Sequence, residues 1–496
     1  MKKYIQLTAL LTTANLAFAR VDLLVTDATI ISPISKSEVS IKTNHWLSIS
    51  EGRIIEISDK NKLPLAKQTI SADGQFLIPG LTDSHTHLRT MPGLLKTDKD
   101  ASKMQAAYLK RQGSNYLFYG VTQVIDPANT AQGITDFTTH NISPNAYFCG
   151  AMPIYQGYAA QSIKYQHLSK RKPYYVHQHG DPTHLTAPAI TSLHEATAAV
   201  KRMKKDGAIC TKIYLEDGFD KAKNIRLIDN ENIKQIVAEA NRQKLPVMVH
   251  ANATDMHSIA LDSRVDILAH GIWNWLDEHQ RGSSVSQELP KNVQQVADGI
   301  LKSQTYYQPS LNVMRSLTDV MVPNHLEKPR YKTVLPTWQI DWYMSHGGQW
   351  FAREMVSGWK GLTHQQKIDY MRTKQTNGKR VLNYLYQHGG EILLGSDTPP
   401  APTYASQPGL STFWELQDMH DAGVDLIGLL ASATINNAKA YGLESKYGAI
   451  LPGKIANILL LNSNPLESVD AYDDIDRIIL NGVVHQRAQF HINNVK

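Results

Sequence analysis

Apolar positions along this chain repeat with two different periods, and the change of period marks its parts. From residue 21 to 71 the pattern is a series of short β-type runs: Val21 to Val25, Ala28 to Ile31, His45 to Ser50 and Arg53 to Ile57. The far end behaves alike, with Ile455 to Leu461 and Arg477 to Leu480, then Asn481-Gly482 before Val483-Val484. Asn-Gly supplies the positive φ angles of a two-residue hairpin turn, so the last two runs should pair. Both chain ends therefore predict one small β-sandwich domain, built from 20–75 and 444–496.

Between them, apolar runs alternate with segments whose apolar residues recur every three to four positions. Runs at 76–83, 120–126, 145–152, 208–215, 246–251, 266–271, 305–311 and 391–396 predict strands. Patterns at 99–117, 194–205, 230–243 and 411–422 predict helices among them. Strands alternating with helices in this number favour an α/β fold, a (β/α)8 TIM barrel over 76–443, above a doubly wound sheet. Two connections far exceed the usual length. Residues 153–193 set His167, His177, His179 and His184 among tyrosines, and 312–390 carries Trp338, Trp342, Trp350 and Trp359. Long insertions on a barrel's catalytic face act as lids or specificity walls. The tryptophan-rich one also suits a subunit interface, and hence a homo-oligomer.

Composition adds limits. The 496 residues exceed one core, and 42% hydrophobic with 19% charged residues is ordinary for a globular chain. A net charge of +6 without a dense Lys/Arg block gives no electrostatic footprint for nucleic acid. Residues 1–19 stand apart: Lys2 and Lys3, an apolar stretch from Tyr4 to Leu16, then Ala17-Phe18-Ala19. That is the layout of a signal peptide cleaved after Ala19, and the stretch is too short for a membrane anchor. It predicts a periplasmic or secreted protein. Cys149 and Cys210 fit no Cys-x-x-Cys pattern; they can pair in an oxidising compartment or remain buried thiols.

The chemistry-bearing residues fall where the predicted strands end. Side chains two apart on a strand share a face, so His85 and His87 can grip one ion. His250, His270 and Asp397 follow at later strand ends, and imidazole with carboxylate suits zinc and related divalent metals. Lys212 lies inside an apolar strand, where an ammonium is costly. Its stem can snorkel toward water. Alternatively its amine reacts with CO2, and the resulting anionic carbamate can bridge two metals.

These residues resemble the amidohydrolase superfamily, in its imidazolonepropionase-like and Xaa-Pro dipeptidase-like region. Asp73-Gly74, Pro79-Gly80-Leu81 and Asp83 through His87 resemble its strand-1 motif. Ala433-Thr434, Asn437-Ala438 and Gly448 through Ala456 resemble its closing segment, which is followed here by Asn464-Pro465-Leu466. The resemblance implies two divalent ions of zinc type, with His85, His87 and Asp397 on one and His250 and His270 on the other. A carbamate on Lys212 would bridge them. It also implies a small-molecule substrate and hydrolysis of an amide, cyclic amide or dipeptide, with Asp397 as general base and acid. His179-Gly180-Asp181 resembles part of the strand-3 loop of the dipeptidases, which makes His179 a substrate-binding candidate.

Departures narrow the field. Asn457 stands where the family usually has aspartate. Related dipeptidases often have a tyrosine just after the strand-5 histidine, where this chain has Ala251, which weakens peptide-carboxylate recognition. Deaminases of this fold resemble one another in a glutamate three residues after that histidine, where this chain has Ala253. A lactonase or phosphotriesterase would use the same metal residues. A non-enzymatic scaffold of this fold would be expected to lack them.

Overall fold

The structure is a computed structural model that describes residues 20–182, 192–218, 224–275, 284–285, 287–359, 361–400 and 402–495. Segment 1–19, expected from sequence to be a signal peptide, and His184 lie outside them. Five strands open the chain: β1 (Val21–Pro33), β2 (Val39–Ser50), β3 (Arg53–Ser58), β4 (Ala66–Ser71) and β5 (Phe76–Pro79). Seven follow: β6 (Leu81–Asp83), β7 (Val121–Asp126), β8 (Asn145–Ala151), β9 (Cys210–Tyr214), β10 (Val247–His250), β11 (Ile267–Ala269) and β12 (Tyr306–Gln308). Three more close it: β13 (Ile458–Leu461), β14 (Ile475–Leu480) and β15 (Val483–Gln486).

The chain ends do meet. They form one mixed sheet in the order β15-β14-β13-β5-β1-β2-β3, with β4 also on β1. The expected sandwich layers are thus joined by continuous hydrogen bonding, because the long β1 takes β4 on its first half and β5 on its second. Asp27, at φ +58°, shifts the phase of β1. Leu23 and Val25 before it, and Ala28 and Ile30 after it, consequently join the same core. In β13 the residues Ile458 and Leu460 enter that core, while Leu459 and Leu461 enter the larger core of the second sheet. A strand covered on both faces reads as a continuous apolar run, which is why Ile-Leu-Leu-Leu shows no alternation.

The second sheet is parallel, with β6 to β12 in sequence order. Helices Ala101–Phe118, Ala196–Lys205, Asn230–Arg242 and Leu410–Asp421 match the expected ones within a few residues. Two expectations change. The run 76–83 is two strands, and Phe76–Pro79 belongs to the mixed sheet, so the parallel sheet starts at Leu81. Gly80 marks the crossing, packed so closely on the Thr122 side chain that a methyl group would overlap it. The expected eighth strand, 391–396, forms no ladder. Its backbone instead bonds β12 (Leu393 N to Tyr307 O, 2.9 Å) and the exit of β6 (Ser84 N to Leu394 O, 3.2 Å). The left-handed turn at Asp397, φ +51°, interrupts strand geometry there.

The 312–390 insertion is helical, including Thr337–Met344, Trp350–Ser357 and His364–Gln387. Trp350 Nε1 donates to Gly93 O at 2.7 Å, tying it to the connection after β6. Cys149 and Cys210 sit directly opposite on β8 and β9 and are disulfide-bonded. Among the described residues, no helix is long and apolar enough to cross a membrane.

Candidate metal centre

Asp83, fully buried at the end of β6, anchors the site. It accepts hydrogen bonds from the backbone of Ser396 and His85 and from the hydroxyls of Ser396 and Thr412. Burial pushes its carboxyl up, against those donors. The bonds hold the exit of β6 beside the segment that carries Asp397.

His85 Nδ1 lies 2.7 Å from Gln308 Oε1, while Gln308 Nε2 donates to Ser84 Oγ. A carboxamide oxygen only accepts, so Nδ1 carries the proton and Nε2 keeps its lone pair, 3.3 Å from Asp397 Oδ1. Burial drives the His85 imidazole down to about 3. His87 Nε2 meets the same Asp397 oxygen at 2.9 Å, and its Nδ1 is 3.7 Å from Asp126. Burial opposes its protonation, but hydrogen bonds to Asp126 and Asp397 outweigh that and raise it to about 9.

His270 follows β11 at φ +82°, a conformation few side chains adopt, and this turns its ring inward. Its Nδ1 is 3.6 Å from Asp397 Oδ2, and its ring centroid is 4.9 Å from His85 and 4.6 Å from His250. His250 ends β10, with Nε2 3.6 Å from Glu216 Oε2. Burial lowers both imidazoles. Burial would raise the Asp397 carboxyl, yet His85, His87 and His270 hold it well below the usual carboxylate range.

Lys212 points inward from β9 and is only 2% exposed. Burial lowers its amine to about 7, with Asp397 opposing. Lys212 Nζ, His250 Nε2, His270 Nδ1 and Glu216 Oε2 are all buried without a hydrogen-bond partner. Polar atoms left this way are costly unless a ligand satisfies them. Ligand atoms of His85, His270 and Asp397 lie within 4.8 Å of one another. A set of imidazoles and carboxylate suits a divalent metal of zinc type. The six residues singled out from sequence thus converge, with Asp397 facing the His85–His87 pair through one oxygen and His270 through the other.

His179 does not join them. It is exposed, its carbonyl accepts from Arg226 at 2.6 Å, and it is absent from the cavity wall. The sequence reading passed over Asp126, Gln308, Glu216 and Tyr158. Asp126 and Gln308 end β7 and β12, so the strand-exit criterion extends to both. Tyr158 comes from the first insertion and stacks on His250 at 4.2 Å; no periodicity marks it. The cage forms the floor of a cavity of about 890 Å³.

The amidohydrolase family description matches residues 76–485. The chain belongs to the amidohydrolase family. The family and the structures it resembles imply a TIM-barrel-like fold with an extra domain. The chain is 28% identical over 117 residues to a 5-methylthioadenosine/S-adenosylhomocysteine deaminase of Teredinibacter turnerae, covering 23% of this chain and 26% of that one. It is 38% identical over 78 residues to an imidazolonepropionase of Kosmotoga olearia, covering 14% and 19%. The matches thus span about a quarter or less of either relative. A Xaa-Pro dipeptidase solved with methionine in its active site superposes with a TM-score of 0.63 at 19% identity, over 94% of this chain and 99% of that one.

Proposed function

We propose that this amidohydrolase cleaves the C–N bond of a small amide, cyclic amide or dipeptide, using two divalent ions of zinc type and Asp397 to carry the proton. His85, His87 and Asp397 would hold one ion, and His250 and His270 the other, with a carbamate on Lys212 between them. The buried, unpartnered Lys212 amine carries the reading. An amine near 7 is substantially neutral at neutral pH, and only the neutral form attacks CO2. The product is an anion placed among imidazoles, which removes the cost of burying an ammonium.

A bound divalent pair polarises a carbonyl and brings the pKa of water from about 15.7 toward about 7. Asp397 is ionised throughout the working range and so can accept the proton of the attacking water. It then returns that proton to the leaving nitrogen. Gln308 and Asp126 orient His85 and His87. The test is metal analysis paired with hydrolysis of a panel of small amides. About two metal equivalents per chain, with turnover lost on chelation, is the expected result; full turnover by metal-free protein overturns the reading.

Two further readings belong to this proposal. The parallel sheet closes as a (β/α)8 barrel through 391–398, supported by its backbone bonds to β12 and β6. Export to the periplasm or medium is supported by the layout of residues 1–19 and by the Cys149–Cys210 disulfide, which suits an oxidising compartment. N-terminal sequencing of the natural protein should begin at Arg20; a cytosolic form that retains Met1 would refute export.

A further inference from the structure

Beyond the metal cage, two cations meet on one side of the cavity, while a third, Lys374, lies over the Tyr370 ring near the aromatic side. Arg89 and Lys172 line the cavity beside the His87 end. Arg89 follows His87 by two residues, and its Nε and Nη2 are held by Asn129 Oδ1 (2.6 Å) and Thr130 Oγ1 (2.8 Å). Lys172 is half-buried, and its ammonium is disfavoured by burial and by the nearby Arg89 charge. The closest acid, Asp126, is already committed to His87, Leu88 N, Ala128 N and Asn129. Two cations therefore share one wall, and among the described residues no carboxylate is dedicated to them. Among the described lining residues the acids are Asp126 and Asp397, both engaged at the cage.

Another wall is largely apolar. Helix Trp350–Ser357 has no fully buried residue, yet Trp350, Phe351 and Met355 all face the cavity, joined by Trp359 and Met314. Half-covered apolar side chains around an enclosed space suit an apolar group of a ligand.

We propose that Arg89 and Lys172 form an anion subsite and that the substrate is an N-acylated amino acid. Its carboxylate meets the two cations, and its apolar acyl chain lies on the Trp350–Trp359 wall. This rests on the amide-hydrolase reading above. Water's oxygen joins the acyl carbon, the C–N bond breaks, and both water protons end on nitrogen. The products are a carboxylate and an amino acid with a protonated amine. A free dipeptide places an ammonium on its acyl group, next to the scissile carbonyl, where the described apolar wall offers it no hydrogen-bond acceptor.

The experiment compares N-octanoyl-L-alanine with N-octanoyl-L-alaninamide on the metal-loaded protein. Hydrogen bonds to a charged group predict a preference for the carboxylate of roughly 10- to 100-fold in kcat/KM. That ratio should fall toward one in Lys172→Gln and drop in Arg89→Gln. A ratio unchanged in both variants, or near one in the unaltered protein, overturns the subsite. Calorimetry with the uncleavable N-octylsulfonyl-L-alanine and its carboxamide supplies a readout free of catalysis. Tighter binding of the anion, lost in Lys172→Gln, upholds the subsite even if neither octanoyl compound is cleaved, in which case the hydrolase reading falls. Cleavage of both octanoyl compounds without discrimination keeps the hydrolase and removes the subsite.

Discussion

An amine sunk among imidazoles has two stable outcomes, neutrality or conversion to an anion, and pH selects between them. With Lys212 near 7, roughly a tenth of the amine is neutral at pH 6 and about nine-tenths at pH 8. Carbamate formation should therefore rise with pH through 7, seen as a ¹³C-carbonate-derived NMR signal that Lys212→Arg lacks. Lys212→Arg should also be inactive, because guanidinium keeps its charge. Lys212→Ala should regain part of its activity with short carboxylic acids that occupy the vacated space. A fully active Lys212→Arg protein would mean an ordinary snorkelling lysine. For Asp397, Asn preserves shape while removing the acceptor. We expect kcat to fall by roughly 10²–10⁴ in metal-replete Asp397→Asn, measured by steady-state kinetics. Five of the six cage residues were readable in the sequence because they lie on or just past a strand, and Asp397 because it follows the apolar run 391–396. Glu216 and Tyr158 were not, since their approach to His250 depends on loop paths that local pattern does not encode.

Elements decide how firmly those residues are aimed. Gln308 sits at the end of β12 and fixes the His85 tautomer, so Gln308→Leu should weaken metal affinity by roughly 10- to 100-fold. Competition with a chelator measures this; unchanged affinity would show that His85 is oriented by packing alone. Gly80 joins the two sheets where no side chain fits. Gly80→Ala should cost about 1–3 kcal/mol in denaturant unfolding, as overpacking does. Helix positions and the central strands were legible from periodicity. The division of 76–83 was not, because Phe-Leu-Ile-Pro and Leu-Thr-Asp are both apolar or buried and the close approach of Gly80 to Thr122, where the sheet changes, is a long-range contact. The segment 391–396 reads as a strand from its hydrophobicity, and it does run between β12 and β6, but isolated bridges at Ile392 and Thr398 replace a ladder.

At the scale of the whole molecule, that both ends share one sheet was foreseeable from matching β-type runs and the Asn-Gly hairpin. The single continuous ladder was not, since it depends on the length and bulge of β1. This shared sheet also sets an order of events during synthesis. Strand β5 takes its second partner from β13, nearly four hundred residues later, so its Leu77–Ile78 edge stays bare while most of the chain is being made. Such long-range pairing is slow to form, and an uncovered apolar edge invites other chains. A chain ending before Ile458 should therefore collect in the insoluble fraction even though every residue of the metal cage is present. Supplying the 444–496 segment in trans should recover soluble protein. Equal solubility of truncated and full-length chains would show that the first sheet half stands alone. The last tenth of the sequence, which contributes no residue to the candidate site, would then act as the chain's own late-arriving chaperone.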